Sequence, residues 1–320
     1  MKKIENRKTL IAIRVTCFLL AVLSLLLVLY YFARPGFANT ARAYRVVQNE
    51  TIFAEEKNTV DALYVGHSRV FSGVSPMEIY DEHGIAGYNI SQPLQMPWEA
   101  YQFICDVLKK QTPKVIALEV DQFFYDHKKA DKRSDLKRAA LTLWPFLETH
   151  MYWKDGFKFP DSNCLKNYRY FTKTVAAREN SKMNVTEKRA KMKKRFKQAF
   201  KKILKLCDKK KIQVVFFTMP TVHHWNYSMH NTIADYAEKH DIPFLDMSLK
   251  EVRDEIGINL NTDYRDRGDH CNYSGAVKAS KGLGKFIKEV TTLEDRRGQK
   301  KYAKWDKEVV EYRKTVGKVV

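Results

Sequence analysis

The chain has 320 residues, enough for a membrane tether and one large α/β domain with a sizeable core. Lysine and arginine outnumber aspartate and glutamate by 57 to 37, and the formal net charge of +20 predicts an anionic partner. The five cysteines show no C-x-x-C spacing and no dense framework, so neither a cysteine-based metal cage nor a disulfide scaffold is indicated, and one or two disulfides are left open.

The first distinctive segment is an apolar run from Val15 to Phe32 without a charged residue. A run of about 18 or more apolar residues can cross a bilayer as a helix. Four basic residues and one glutamate lie among the first eight residues, so the N-terminus is predicted to be cytoplasmic. We therefore predict a cytoplasmic N-terminus and a single transmembrane anchor in residues 1–34, and a stalk in residues 35–59.

This topology places the remainder of the chain outside the cytoplasm, in a single-pass protein of the cell membrane, and it excludes a nucleic-acid partner. A cleavable signal peptide is the alternative, with Ala41-Arg42-Ala43 as its nearest cleavage-like site. The apolar run is longer than the ~7–15 residues of a usual signal h-region, which favours an uncleaved anchor.

Residues 60–290 alternate between apolar runs and segments of helical periodicity. The predicted strands are 61–66, 85–91, 114–121, 213–219 and 242–247. The predicted helices are 98–110, 182–211, 231–240 and 274–290, the last with Ser274 as its N-cap residue. This alternation predicts an α/β domain with three α/β/α layers, a parallel sheet and right-handed crossovers.

Two segments depart from the alternation. Residues 123–180 are rich in aromatic side chains and too long for a structureless loop in a compact domain. We predict a helical insertion there that forms a lid over the carboxyl edge of the sheet, with a plain helical embellishment as the alternative. Residues 291–320 are charged and predict a basic C-terminal tail with a helix near residues 304–314.

Ser68 follows the first predicted strand by two residues, at the carboxyl edge where open α/β sheets bind ligands. A serine hydroxyl needs a neighbouring base to become a nucleophile. His270 lies in a loop after the last strand, which should reach the same edge. Asp266 has more loop than Asp269 to swing back toward the imidazole, so we predict a triad of Ser68, His270 and Asp266. Asp269 is the alternative orienting acid.

The competing interpretations are structural. Ser68 would then be an ordinary helix cap after a strand, and His270 a surface-loop histidine beside a helix N-terminus.

The residues around Ser68 and His270 resemble two sequence blocks of the SGNH/GDSL hydrolase superfamily. Residues 65–69, Val-Gly-His-Ser-Arg, stand at its G-x-S block, with Ser68 at the position of the nucleophile. Residues 269–276 look like the D-H-x-N-x-x-G-A segment of its membrane-anchored members. Those members include subunits of alginate O-acetylation and teichoic-acid D-alanylation, which commonly accompany a membrane-bound O-acyltransferase.

This resemblance spans roughly residues 61–290 and implies a flavodoxin-like SGNH fold with a membrane-bound O-acyltransferase as partner. No cofactor is expected. No metal is expected either, because the sequence has no H-E-x-x-H motif and no cysteine ligand spacing.

The sequence departs from the superfamily pattern at three places. Arg267 stands where the orienting acid usually lies, with Asp266 one residue earlier. The G-x-N-D block is absent, because the third strand runs directly into Asp121. The glycine of the remaining block has no clear counterpart in residues 88–92, Tyr-Asn-Ile-Ser-Gln.

Because of these departures, the sequence does not assign the hydrogen-bond donors of the oxyanion hole. The backbone N–H of Ser68 is the first candidate donor, and the side chain of Asn89 or Gln92 is the second. His223 follows the fourth strand and is a candidate for contacting the substrate or for acting as an alternative base. An α/β-hydrolase elbow is disfavoured, because Gly-His-Ser-Arg-Val lacks the second glycine of G-x-S-x-G.

The sequence thus predicts a membrane-anchored, extracytoplasmic SGNH-like acyltransferase or esterase. Its substrate would be an acyl ester of a cell-surface polysaccharide or teichoic-acid-like polymer. A non-catalytic glycopolymer-binding or assembly subunit on the same fold is the main alternative, favoured by the missing G-x-N-D block. A plain surface esterase or lipase is a third. The basic helix predicted at residues 182–211 is interpreted as a solvated face, or else as a surface for a polyanionic glycopolymer or the membrane.

Overall fold

The computed structural model of the chain describes residues 2–33, 51–124 and 164–317. Most of the predicted stalk and residues 125–163 of the predicted insertion lie outside these ranges. The first helix, α1, spans Lys2–Ala33. Its segment Arg7–Leu29 has a mean hydropathy of 2.6, so it is long and apolar enough to cross a membrane. A signal sequence near the N-terminus satisfies the same criteria.

The core of the domain is a parallel five-stranded sheet in the order β2-β1-β3-β4-β5. The strands are β1 Ala62–Gly66, β2 Gly87–Ser91, β3 Val115–Glu119, β4 Gln213–Thr218 and β5 Phe244–Asp246. Every residue of β1, β2 and β3 is buried, because helices cover both faces, and this explains the near-continuous apolar sequences of β1 and β3. The predicted fold class is confirmed, and the strand order is the flavodoxin-like one.

Helices form one layer on each face of the sheet. One layer contains α2 Ser68–Gly73, α3 Pro76–His83, α8 Tyr273–Val290 and α9 Ala303–Thr315. The other contains α4 Pro97–Val107, α5 Lys194–Lys210 and α6 Tyr227–Lys239. A short helix, α7 Lys250–Glu255, follows β5, and 3₁₀ turns lie at Thr51–Ala54, Asp121–Phe123, Ser181–Met183 and Lys300–Tyr302.

Three predicted helix starts were wrong. The helix predicted from residue 231, α6, begins at Tyr227, where the side chain of Asn226 caps it. The helix predicted from residue 182 begins at Lys194, because the preceding segment is held against α6 instead: the Ala190 N–H donates to the Ser228 carbonyl at 2.9 Å. Ser274 is not the N-cap residue of α8. That residue is Asn272, whose side chain accepts a hydrogen bond from the Gly275 N–H, while the Ser274 hydroxyl donates to Asp263 at 2.7 Å.

The C-terminal residues pack into the domain rather than trailing from it. Trp305 is 1% exposed and Tyr312 is fully buried, and both lie on α9. The fully buried Lys166 ammonium lies 2.6 Å from Glu55 and 2.5 Å from Glu308. This three-way ion pair joins the end of the predicted stalk, the return from the insertion and α9.

Candidate active site

Ser68 is the first residue of α2 and lies two positions after the end of β1. From Thr59 to Tyr80, every residue except Ser68 is buried, whereas Ser68 is partly exposed. Gly66 permits the tight turn between them, because a Cβ atom there would lie 2.3 Å from Val70 Cγ2 and 2.5 Å from Glu119 Oε2. The turn therefore presents a single hydroxyl at the carboxyl edge of the sheet.

The structure brings Ser68, His270 and Asp266 together in one hydrogen-bonded chain. His270 Nε2 lies 2.7 Å from Ser68 Oγ. His270 Nδ1 lies 2.5 Å from Asp266 Oδ2. The other oxygen of Asp266 accepts the backbone N–H of His270 at 2.8 Å and that of Asp269 at 3.2 Å. An imidazole held in this way has one nitrogen free to accept the proton of the serine hydroxyl.

The loop between Asp266 and His270 makes this contact possible. Arg267 has φ +68° and Gly268 has φ +107°, so the chain reverses between the acid and the histidine. A Cβ atom at Gly268 would lie 2.4 Å from Val222 Cγ2, so the turn packs tightly on the loop after β4. This left-handed turn explains how an acid four residues before the histidine reaches its ring.

Asp266 is suited to stabilise a charged imidazole. Its partial burial acts to raise the pKa, but the hydrogen bonds from the His270 ring and backbone outweigh burial and hold the pKa of Asp266 below its usual value. The carboxylate is therefore ionised at neutral pH, when His270 would receive the proton.

Asp269, the alternative acid, is also near His270, but it is bound mainly to Arg69. Its Oδ2 lies 3.3 Å from His270 Nδ1, and its Oδ1 lies 2.6 Å from Arg69 Nη1. Burial acts to raise the pKa of Asp269, but the charges of Arg69 and His270 prevail and lower this pKa to about 2. Asp266 is the better placed of the two for orienting the ring, because its hydrogen bond to Nδ1 is 0.8 Å shorter.

A buried charged cluster flanks the serine, and no motif in the sequence indicates it. Arg69 is 2% exposed; its guanidinium contacts Asp121 and lies 3.6 Å from Glu119. His67 Nε2 lies 2.7 Å from Asp121 Oδ1, and the His67 N–H donates to Glu119 at 3.2 Å. Burial lowers the pKa of His67 to about 4, so this imidazole is neutral at pH 7.

Arg69 is the residue that joins the two halves of the site. Its ion pair with Asp269 spans 200 positions of sequence. It connects the turn between β1 and α2 that carries Ser68, the serine turn, with the loop that carries Asp266 and His270, the histidine loop. The available signal was a pair of acids, Glu119 and Asp121, at the end of an otherwise apolar strand. Buried acids at such a place need a cationic or hydrogen-bonding partner.

Among the described residues, two groups of side chains have ligand atoms close enough to share a metal ion: His67 with Glu119 and Asp121, and His270 with Asp266 and Asp269. In the first group the Arg69 guanidinium already contacts the acids and lies 2.9 Å from His67 Nε2, so it occupies the place of a cation. In the second group, Asp266 and Ser68 engage both ring nitrogens of His270. We therefore assign no metal to either group.

The structure separates the remaining predicted site residues. The Asn89 amide donates to the Val74 carbonyl at 2.8 Å, away from the serine, because position 89 lies opposite Tyr64 in the middle of β2. We do not retain Asn89 as an oxyanion donor. Gln92 begins the loop after β2, next to Ser91, which pairs with Gly66. It is buried, and its Oε1 has no hydrogen-bond partner among the described residues.

The two histidines after β4 contact the histidine loop. His223 Nε2 lies 2.8 Å from the Arg267 carbonyl and so braces the loop that carries the predicted base. Its neighbour His224 lies 3.6 Å from Asp269, and burial lowers the pKa of His224 to about 4. Within the described ranges, neither ring is hydrogen-bonded to Ser68.

No family model and no curated protein matches this chain. Solved structures similar to it include a protein described as an acylhydrolase from Bacteroides fragilis NCTC 9343, with 11% identity, a TM-score of 0.40, and coverage of 77% of this chain and 96% of that one. A GDSL-like lipase from Bacteroides thetaiotaomicron VPI-5482 has 10% identity, a TM-score of 0.36, and coverage of 72% and 88%. The acetyl xylan esterase AlAXEase has 13% identity, a TM-score of 0.38, and coverage of 72% and 100%. At these low values the similarities carry no argument about function, which has to come from the site.

Proposed function

We propose that the chain is an SGNH-like serine esterase or acyltransferase that acts through Ser68, His270 and Asp266. The observation that supports this most directly is the hydrogen-bonded chain from Ser68 Oγ to His270 at 2.7 Å and from His270 to Asp266 at 2.5 Å. Its two parts come from segments 202 positions apart, and they meet at the sheet edge where ligands of open α/β folds bind.

In the proposed reaction, Ser68 Oγ attacks the acyl carbonyl while His270 Nε2 takes the hydroxyl proton. Asp266 stabilises the resulting imidazolium through Nδ1–H. The tetrahedral intermediate then collapses, and His270 returns the proton to the leaving alkoxide. The acyl-enzyme is resolved by a second hydroxyl, from a sugar in transfer or from water in hydrolysis, again with His270 as the base.

The oxyanion needs donors that are not already used. The Ser68 N–H has no hydrogen-bond acceptor within the described residues, since it lies in the first turn of α2. Gln92, beside the end of β1, is the second candidate. One such donor typically contributes about 10²–10³ in rate, so removing the Gln92 amide tests this assignment.

The finer proposal concerns location and substrate. Helix α1 would anchor the enzyme with its N-terminus in the cytoplasm and its catalytic domain outside. The substrate would be an acyl ester of a cell-surface polysaccharide or teichoic-acid-like polymer, handled together with a membrane-bound O-acyltransferase. The apolar 23-residue segment of α1 and the net charge of +20 support this assignment.

Labelling with a serine-reactive fluorophosphonate tests the chemistry. The wild-type chain should be labelled and should hydrolyse a soluble aryl acetate, whereas Ser68→Ala should do neither at an unchanged melting temperature. Ser274→Ala is the matched control, because Ser274 is exposed next to the same loop and should retain both properties. A wild-type chain that is not labelled but still binds an acylated glycopolymer would instead support the non-catalytic subunit, which the absent G-x-N-D block favours.

A further inference from the structure

The outward face of α5 and the residues just before it carry a concentrated positive charge. Residues 191–211 contain eleven basic residues and one acidic residue, a net charge of +10 and half of the chain's +20. All eleven basic residues are exposed. The opposite face of the helix is apolar and buried in the domain: Phe196, Phe200, Ile203 and Cys207 pack against the core. The position of the charge is therefore set by the fold.

Four of these lysines form a row along the helix, inclined to its axis because every fourth residue is turned by about 40°. Lys197, Lys201, Lys205 and Lys209 recur every four residues, so successive side chains are about 6 Å apart along the helix axis. We call these four residues the lysine column. Like charges at this spacing destabilise a helix by about 0.2–0.5 kcal/mol per pair. The column thus costs stability in the free protein, and an anion lying along it would remove that cost.

Basic residues on α8, in the helix layer on the other face of the sheet, are paired with acids. On α8, Lys278 lies 2.7 Å from Asp263, Lys281 lies 2.8 Å from Glu82, and Lys285 lies 3.3 Å from Glu255. No carboxylate of the described residues lies within 4.0 Å of any ammonium group in the lysine column. The positive field of the column is therefore not neutralised by neighbouring acids of the described chain.

The lysine column also has a direction relative to the site. Helix α5 precedes β4 in a parallel sheet, so it runs antiparallel to the strands and starts at their carboxyl edge, where Ser68 lies. A cavity of about 420 Å³ lies beside its first turns, lined by Lys197 and Lys201 together with the rings of Phe200 and Tyr236. A linear ligand along the column would have one end at the edge of the sheet that carries the serine.

We propose that the lysine column binds a linear polyanion with repeating phosphate or carboxylate groups, and that this polymer is the acyl-bearing substrate of the site. The proposal extends the proposed function, on which its second clause rests. Charge complementarity favours a polyanion, and a row of charges about 18 Å long, with the cavity beside its first turns, favours a chain over a flat surface. An anionic membrane is the less suitable occupant, because the apolar face of α5 is buried and has nothing to insert.

The test replaces the lysine column by glutamine in the full chain, held in nanodiscs of neutral phosphatidylcholine. The matched control removes the same charge at four exposed lysines on other helices: Lys239, Lys250, Lys281 and Lys285. The probe is a fluorescent synthetic poly(glycerol phosphate), and its dissociation constant is measured by anisotropy between 50 and 300 mM NaCl. Hydrolysis of a soluble aryl acetate is measured in parallel.

The column variant should bind the probe at least tenfold more weakly than wild type at 50 mM NaCl. Its slope of log affinity against log salt should be smaller by about 3, if each lysine neutralises one phosphate as on a single-stranded nucleic acid. The control should bind within about twofold of wild type, and all three proteins should hydrolyse the aryl acetate equally. Equal loss in the column variant and the control would overturn the proposal.

Two further measurements distinguish the other outcomes. If the column variant lost binding to phosphatidylglycerol vesicles but kept wild-type affinity for the probe, the polymer assignment would be overturned in favour of a membrane surface. Probe binding that needs the column in a wild-type chain without fluorophosphonate labelling would mean that the proposed chemistry has failed while the binding surface stands. Binding of the probe by Ser68→Ala with wild-type affinity is expected in either case.

Discussion

Replacing Asp266 by asparagine should remove most of the activity while leaving the site assembled. The carboxylate uses one oxygen for the backbone N–H groups of His270 and Asp269 and the other for His270 Nδ1. An asparagine in the same rotamer keeps its oxygen on the backbone groups and turns its NH₂ toward Nδ1. That contact favours the imidazole tautomer with its proton on Nε2, which cannot accept the Ser68 proton.

The size of the effect follows from this change of tautomer. The variant loses both the correctly protonated base and the charge that stabilises the imidazolium. We expect kcat to fall by about 10³–10⁴, or about 4–5.5 kcal/mol of transition-state stabilisation, with KM changed by less than about threefold. Asp269→Asn should cost no more than about tenfold in kcat, because its carboxylate lies 3.3 Å from Nδ1 and is held by Arg69.

The assay is steady-state hydrolysis of a soluble aryl acetate by the detergent-solubilised full chain, with melting temperatures to show that both variants are folded. The rate of fluorophosphonate labelling provides a second readout of Ser68 nucleophilicity. If Asp269→Asn lost as much as Asp266→Asn or more, the assignment of the orienting acid would be refuted. If neither variant lost activity, His270 would not be acting as the base through this arrangement.

Three further predictions concern the elements around the triad. Gly66→Ala should lower the free energy of unfolding by about 1–3 kcal/mol, because the added Cβ would lie 2.3 Å from Val70 and 2.5 Å from Glu119. Urea titration measures this change, and an unchanged midpoint would contradict the tight packing of the turn. Burial lowers the folded-state pKa of His67 to about 4, so its stabilising contribution is complete above about pH 6.5 and is lost as the pH falls toward 4. This loss should reach about 3 kcal/mol by pH 4, and His67→Gln should show a weaker dependence over that range. Arg69→Lys keeps a charge but not the planar fork that joins Asp121 and Asp269, so kcat for the aryl acetate should fall while the chain stays folded. A kcat equal to that of wild type would show that this link does not position the histidine loop.

Local patterns in the sequence were sufficient for the fold and for the position of the candidate nucleophile. Runs such as Ala62–Gly66 and Val115–Glu119 are apolar on both faces, which requires a parallel sheet covered on both sides. A serine immediately after such a run must lie at the carboxyl edge of the sheet. The apolar segment of α1 was likewise recognisable from length and composition alone.

The detailed geometry of the site depended on contacts between distant segments. The left-handed turn at Arg267 and Gly268 determines which of the two acids lies closer to His270 Nδ1. The bond to the Val74 carbonyl determines the inward orientation of Asn89. The late start of α5 followed from packing of the preceding segment on α6.

The buried cluster around Arg69 joins residues from β3, the serine turn and the histidine loop, up to 200 positions apart. Periodicity and spacing report on neighbours within a few residues, and they determined the elements of this chain and their order. Which charged side chains share a buried site depends on how the folded elements pack, and for this protein only the tertiary structure decided it.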